Sequence, residues 1–232
     1  MKKNDGKDYI YVIWKEPNER RRYIIGELVK GEDYEFSYNH EIEDAVRHGF
    51  NGFICFKDLK KTYRSNFLFP AFSSRLPDER RKGIEEILER YELSAYDSYE
   101  LLKRSGAKLP TDNFEFINPL PENFETETLE RHFYIAGSRY YIGCEQKNCE
   151  KAVYVELKDK LTLNLEPTNE SDKYAIKVYH GSNHLGYIPR YYSQGLTKFI
   201  KNKYEYHCEV SRVNKDKNCN ECIEVKIVIM KV

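Results

Sequence analysis

Leu165 to Val178 reads LEPTNESDKYAIKV, and Leu185 to Arg190 reads LGYIPR. Ala175 to Tyr179 has the composition of a short strand, and His184 to Ile188 supplies another behind a Gly-Ser turn. Ahead of them, Asn169 and Asp172 sit in a polar loop entered from a strand over Leu161 to Leu165. Asx side chains stabilise such loops by accepting hydrogen bonds from nearby backbone N–H groups.

Working outward, short strands are expected at Phe133 to Ala136, Tyr140 to Cys144 and Ala152 to Leu157, separated by turn residues. A helix follows from about Ser193 to Lys201, with Leu196, Phe199 and Ile200 on its buried side, then closing strands at Tyr204 to Val213 and Ile223 to Val232. That spacing fits a small barrel or sandwich, and no internal repeat is visible.

Upstream lies a segment rich in proline (Pro110, Pro119, Pro121) and turning acidic through Glu122, Glu125, Glu127 and Glu130. It marks a boundary, giving a domain over residues 1–118, a linker over 119–130 and a second domain over 131–232. In the first domain, Tyr9 to Trp14 and Tyr23 to Val29 read as a hairpin. Tyr34 to Tyr38 alternates so that Tyr34, Phe36 and Tyr38 share one face. A helix is expected over Asp78 to Tyr91 from the spacing of Ile84, Ile87, Leu88 and Tyr91. Another is signalled by Asp97 with Glu100 three residues later, and by Gly106 past its end. The fold class is therefore α+β and β-rich: a small mixed β/α domain, then an OB-like β-barrel with one helix.

Lys plus Arg equals Asp plus Glu at 38 each, so bulk charge cannot hold this chain to a nucleic acid or a membrane. Any such site is local. The N-terminus lacks the apolar run of a secretion signal, and no stretch approaches a membrane span, so a cytoplasmic location with reduced cysteines is expected.

The E-P-x-N-x-x-D-x-x-A-I-x-V pattern of Glu166 to Val178, the G-Y-I-P-R of Gly186 to Arg190 and the GSRYYIG of Gly137 to Gly143 together resemble the HIRAN domain. The resemblance spans about a hundred residues in order. It implies an OB-like barrel whose Asn169–Asp172 loop lies at the mouth of a pocket for the 3′ end of single-stranded DNA, with the acid accepting a hydrogen bond from the terminal hydroxyl. Arg139, Tyr140, Tyr141, Lys173, Tyr187 and Arg190 complete the expected nucleic-acid-binding set, because single strands offer base faces to rings and phosphates to cations. If Tyr140 and Tyr141 lie on a strand, only one faces outward. Between Arg131 and Lys203 twelve cations oppose seven anions. That surplus of five suits a few phosphate contacts and salt-sensitive affinity. Ser171 stands where some nucleic-acid-binding members carry an aromatic residue.

The first domain is similar to the N-terminal subdomain of HipA-type kinases. Its carriers are the hairpin with Tyr34 to Tyr38, Phe69-Pro-Ala-Phe72 with Leu76-Pro77, and Asp97 to Leu102 ending at Gly106. That subdomain is a non-catalytic cap, and in some toxin systems it is a separate antitoxin chain, so the resemblance implies docking to a HipA-type kinase. The sequence shows no Gly-rich phosphate loop and no catalytic-loop pattern, and it is read as non-enzymatic and without a cofactor.

Cys219 and Cys222 have the spacing of a zinc half-site, and Cys144 with Cys149 could complete it; ordinary free thiols are the competing reading. Ser73 and Ser74 beside Arg75 and Arg80 fit a polar loop or a phosphorylation site. The function expected is an antitoxin-like regulator that binds single-stranded DNA or a DNA 3′ end; the alternative is a protein-interaction or inhibitor protein using the barrel as a scaffold.

Overall fold

The computed structural model describes residues 6–18, 21–122, 124, 126–143, 155–214 and 221–231. The chain divides into two compact units between Pro119 and Leu120.

In the first unit, β1 (Asp8–Lys15) carries the run YIYVIW, all six residues of which are buried. A strand apolar at every position belongs in the middle of a sheet. β1 lies there, paired antiparallel with β2 (Arg22–Lys30) on one side. β3 (Tyr34–Tyr38) extends the sheet from β2, and Phe36 and Tyr38 point into the core as their alternation predicts. After α1 (Ile42–Arg47), β4 (Tyr63–Ser65) closes that edge. α2 (Pro70–Ser73), α3 (Ile84–Arg90) and α4 (Ser98–Ser105) follow, and β5 (Phe114–Ile117) returns to the free side of β1. The sheet order is β4-β3-β2-β1-β5.

Its core is aromatic. The Phe36 ring meets Phe56 at 4.5 Å, Tyr38 at 5.0 Å and Phe72 at 5.3 Å between centroids. The Tyr38 hydroxyl donates to the Phe56 carbonyl (2.9 Å) and accepts from the Phe53 N–H (3.0 Å), which fixes the turn between them. α4 starts as its sequence announces: the Asp97 carboxylate accepts from the Tyr99 and Glu100 N–H groups, and Gly106 ends the helix with a left-handed backbone.

Three expectations for this unit need correction. The helix expected over Asp78 to Tyr91 begins only at Ile84, because Asp78 caps a turn through the Arg80 N–H (2.7 Å) and Gly83 adopts φ +80° ahead of the helix. β5 lies in the proline-bearing segment, where Phe116 is buried. Arg75, beside the candidate phosphorylation site, is committed inward to Asp112 and to the carbonyls of Ala107 and Phe114.

In the second unit, Leu120 and Phe124, from the segment expected as linker, are buried. β6 (Thr128–Tyr134) begins inside that segment too. A 3-10 turn over Ser138–Tyr140 follows, then β7 (Thr162–Leu165), β8 (Ile176–His180) and β9 (Asn183–Tyr187). α5 (Arg190–Lys201) packs Leu196 and Phe199 inward, and β10 (Glu205–Val213) and β11 (Ile223–Met230) complete the unit. Leu120 lies against α5, so close to Gly195 that an added Cβ there would sit 2.9 Å from the Leu120 side chain.

The β-rich α+β class holds, but the strands do not close into the expected barrel. Among the described residues they form two sheets of three, β10-β11-β6 and β7-β8-β9. Isolated bridges at Ala136↔Tyr187 and Lys160↔Glu209 lie between the strands of one sheet and those of the other. The chain expected to run on as a strand at Tyr140 instead turns, with the Tyr140 N–H bonded to the Gly137 carbonyl and the Tyr141 and Ile142 N–H groups to that of Ser138. Of the expected strands at Tyr140 to Cys144 and Ala152 to Leu157, Cys144 and Ala152 to Tyr154 lie outside the described residues, and neither Tyr141 to Gly143 nor Val155 to Leu157 is a strand. No helix among the described residues is long and apolar enough to cross a membrane.

Candidate nucleic-acid interface

The site is built where the Ser138–Tyr140 turn meets the edge of β9. Ala136 and Tyr187 exchange both backbone hydrogen bonds, at 2.8 and 2.9 Å. Gly186 makes this approach possible: at φ +134°, a Cβ there would lie 2.5 Å from the Ala136 carbonyl oxygen and 2.8 Å from the Ile135 side chain. Only glycine fits both the conformation and the space.

A register shift between β8 and β9 then sets which rings share a face. Lys177 pairs with Tyr187, but Tyr179 pairs with His184, so Leu185 is the extra residue of a β-bulge. Without it, His184 and Tyr187, three apart, would face opposite ways. With it, Lys177, Tyr179, His184 and Tyr187 face outward together. Tyr141 closes over them, its ring 4.1 Å from that of His184 and 5.6 Å from that of Tyr187.

Glu166 binds this group from below. Its Oε1 lies 2.6 Å from Lys177 Nζ, and its Oε2 accepts from Asn169 Nδ2 (2.8 Å) and from the Tyr187 hydroxyl (3.0 Å). The hydrogen bond from Lys177, followed by that from Asn169, holds the Glu166 carboxyl at about 2. Burial, then hydrogen bonding with Tyr141 and Glu166, pushes the Tyr187 phenol well above its usual value. Burial lowers His184, whose Nε2 is 3.0 Å from the Gly186 carbonyl; the neutral ring donates there.

Beside this lies a second group at the start of α5. Asp172 Oδ1 accepts from the Tyr174 N–H (2.8 Å), and Ser193 Oγ lies 2.8 Å from Asp172 Oδ2. Asn169 Oδ1 accepts from the Ser171 and Asp172 N–H groups, so the loop between the groups is a set of Asx turns. Arg190 is exposed at the first position of the helix.

Residues 130–230 match the HIRAN domain family, and residues 21–110 match the HipA N-terminal domain family. The HIRAN match covers most of the second unit. Among solved structures, the chain is similar to the HIRAN domain of human HLTF, with 19% identity over 46% of this chain and 81% of that one, at a TM-score of 0.35. It is also similar to a protein from Lactobacillus plantarum, with 18% identity over 45% of this chain and 99% of that one, at a TM-score of 0.33. Comparison with curated proteins finds no match.

Within the second unit, Asn169 and Tyr187 meet at Glu166 and Tyr141 lies against Tyr187, whereas Asp172 belongs to the start of α5. Tyr140 and Tyr141 are both exposed (70% and 42%), because the 3-10 turn removes the strand alternation that would have buried one of them. Arg139 lies with its guanidinium 4.5 Å from the centre of the Tyr140 ring. Lys173 is exposed near the Tyr174 ring, at 5.1 Å. Ser171 is exposed.

Glu166, Lys177, Tyr179, His184 and Ser193 were not expected as site residues. The spacing of Lys177 and Tyr179 was a readable signal of a shared face; the bulge that brings in His184 was not. Cys144, Cys149 and Cys219 lie outside the described residues, while Cys222 is buried near Ser138, its Sγ 3.8 Å from the serine Oγ. Burial pushes the Cys208 thiol up to about 12, so it is unreactive at neutral pH.

Because Glu166 sits below its ordinary 4.5 when folded, the stability it contributes is complete above that pH and is lost as pH falls from about 4.5 toward 2. Lys177→Met should raise the Glu166 midpoint toward 4.5 in a carboxyl-carbon NMR titration and move the onset of acid destabilisation to higher pH. An unchanged midpoint would remove the Lys177 pair as the cause.

Proposed function

We propose that this protein is a non-catalytic, antitoxin-like regulator of the cytoplasm whose HIRAN domain grips single-stranded DNA at a 3′ end and whose first unit docks a HipA-type kinase. The observation that carries the nucleic-acid half is the grouping of Tyr141 and Tyr187 with Lys177, next to the Arg139–Tyr140 pair. Rings that present faces and cations beside them are what a single strand requires, since every nucleotide offers a base face and a phosphate.

The Asp172 carboxylate takes one donor on each oxygen, and an ionised carboxylate accepts about four hydrogen bonds in all. Room therefore remains for a terminal hydroxyl. With a chain of net zero charge and a local surplus of five cations, binding is weak and salt-sensitive.

The combined variant Arg139→Ala, Asp172→Asn, Tyr187→Ala is expected to lose binding to a 3′-hydroxyl oligonucleotide by at least about thirtyfold at 50 mM salt, from one base stack and one phosphate contact. Fluorescence anisotropy reads this, and circular dichroism checks the fold. Unchanged affinity would refute the nucleic-acid half.

The docking half is supported by the family match of residues 21–110 and by apolar side chains turned to solvent in the first unit. Ile54 is 91% exposed at the tip of the turn that Tyr38 fixes, and Phe67 is 61% exposed. A pre-set exposed apolar residue is the form an interface anchor takes. In co-expression with a HipA-type kinase, the wild-type chain should co-purify and Ile54→Asp with Phe67→Asp should not. Equal recovery of both would place docking elsewhere.

A further inference from the structure

The outward face of β7-β8-β9 extends beyond the residues assigned above. Antiparallel pairing sets Thr162 opposite Tyr179 and Asn164 opposite Lys177, so these four share the face. Thr162 and Asn164 are exposed. They are small, and they flank a half-buried Tyr179. On the other side Tyr179 lies against His184 with centroids 5.0 Å apart and planes 28° from parallel. Tyr141 meets the same imidazole at 4.1 Å, and Tyr187 meets it edge-on at 5.1 Å.

His184 is thus the centre of a ring surface that runs from the 3-10 turn across β9 to β8. Its neutral ring donates to a backbone carbonyl, so what it adds to the surface is an uncharged aromatic ring that backs Tyr179. The groups facing it are Lys177 and Tyr179 on β8, Tyr187 on β9, Tyr141 on the turn and Glu166 on the loop.

Resting on the proposed binding of a single strand, we infer that Tyr179 and His184 form a second base-stacking subsite, which takes the strand beyond its terminal nucleotide. Two residues along a strand advance about 6.6 Å, so Tyr179 lies one such step from Lys177 and its partner Tyr187. That is a stride suited to successive bases of an extended strand. Stacking on two rings tolerates any base, so the subsite adds affinity without sequence preference.

The test uses the full chain and a 5′-labelled hexathymidylate with a free 3′ hydroxyl, read by fluorescence anisotropy. Tyr179→Ser with His184→Ser is expected to weaken binding at least about tenfold. Tyr179→Phe with His184→Phe keeps both rings and is expected to bind within about twofold of wild type, which separates stacking from loss of fold. Serine variants that bind as wild type does would overturn the second subsite while leaving end binding standing. Phenylalanine variants that bind as poorly as the serine ones would overturn stacking as its basis. Absence of any wild-type binding would overturn this subsite together with the function on which it rests.

Discussion

The close approach of Gly186 to the Ala136 carbonyl is the contact on which the candidate site depends. It lets β9 exchange two hydrogen bonds with the segment after β6, and the left-handed Gly137 then starts the turn that carries Arg139, Tyr140 and Tyr141. The buried anchors on either side, Ile135, Ser138 and Ile142, hold that turn down while its aromatic residues stay outside. A side chain at position 186 would have to displace backbone, which gives far less than the tip of a flexible side chain would.

The chemistry of the face follows from how few charges it spends. One carboxylate, Glu166, satisfies a lysine, an amide and a phenol at once, so the loop, β8 and β9 are fixed together by a single acid. The rings of Tyr141, Tyr179 and Tyr187 pack around His184, with the polar edges of His184 and Tyr187 tied down. On the proposed reading, a single strand would meet ring faces here as well as the local cations.

Much of this was legible in the sequence. The aromatic alternation of Tyr34 to Tyr38, the Asp97 cap and the Gly106 stop are local signals, and local signals survive into the structure. The signature loop was readable as Asx turns for the same reason. What escaped was non-local. β5 is a strand because β1 offers it an edge, and nothing in its own proline-bearing surroundings says so. The turn at Ser138–Tyr140 replaces a strand because Tyr187 captures Ala136, fifty-one residues earlier. His184 joins the site only through the bulge at Leu185, and a period-two reading puts it on the wrong side of the sheet.

The most direct test of this dependence is to measure, in Gly186→Ala, amide hydrogen exchange at Ala136 and Tyr187 alongside affinity for a 3′-hydroxyl oligonucleotide. Loss of protection at both amides with a matching loss of affinity is the expected result, with global stability lowered by about 2–4 kcal/mol. Open amides with undiminished affinity would contradict the claim that this joint builds the nucleic-acid face.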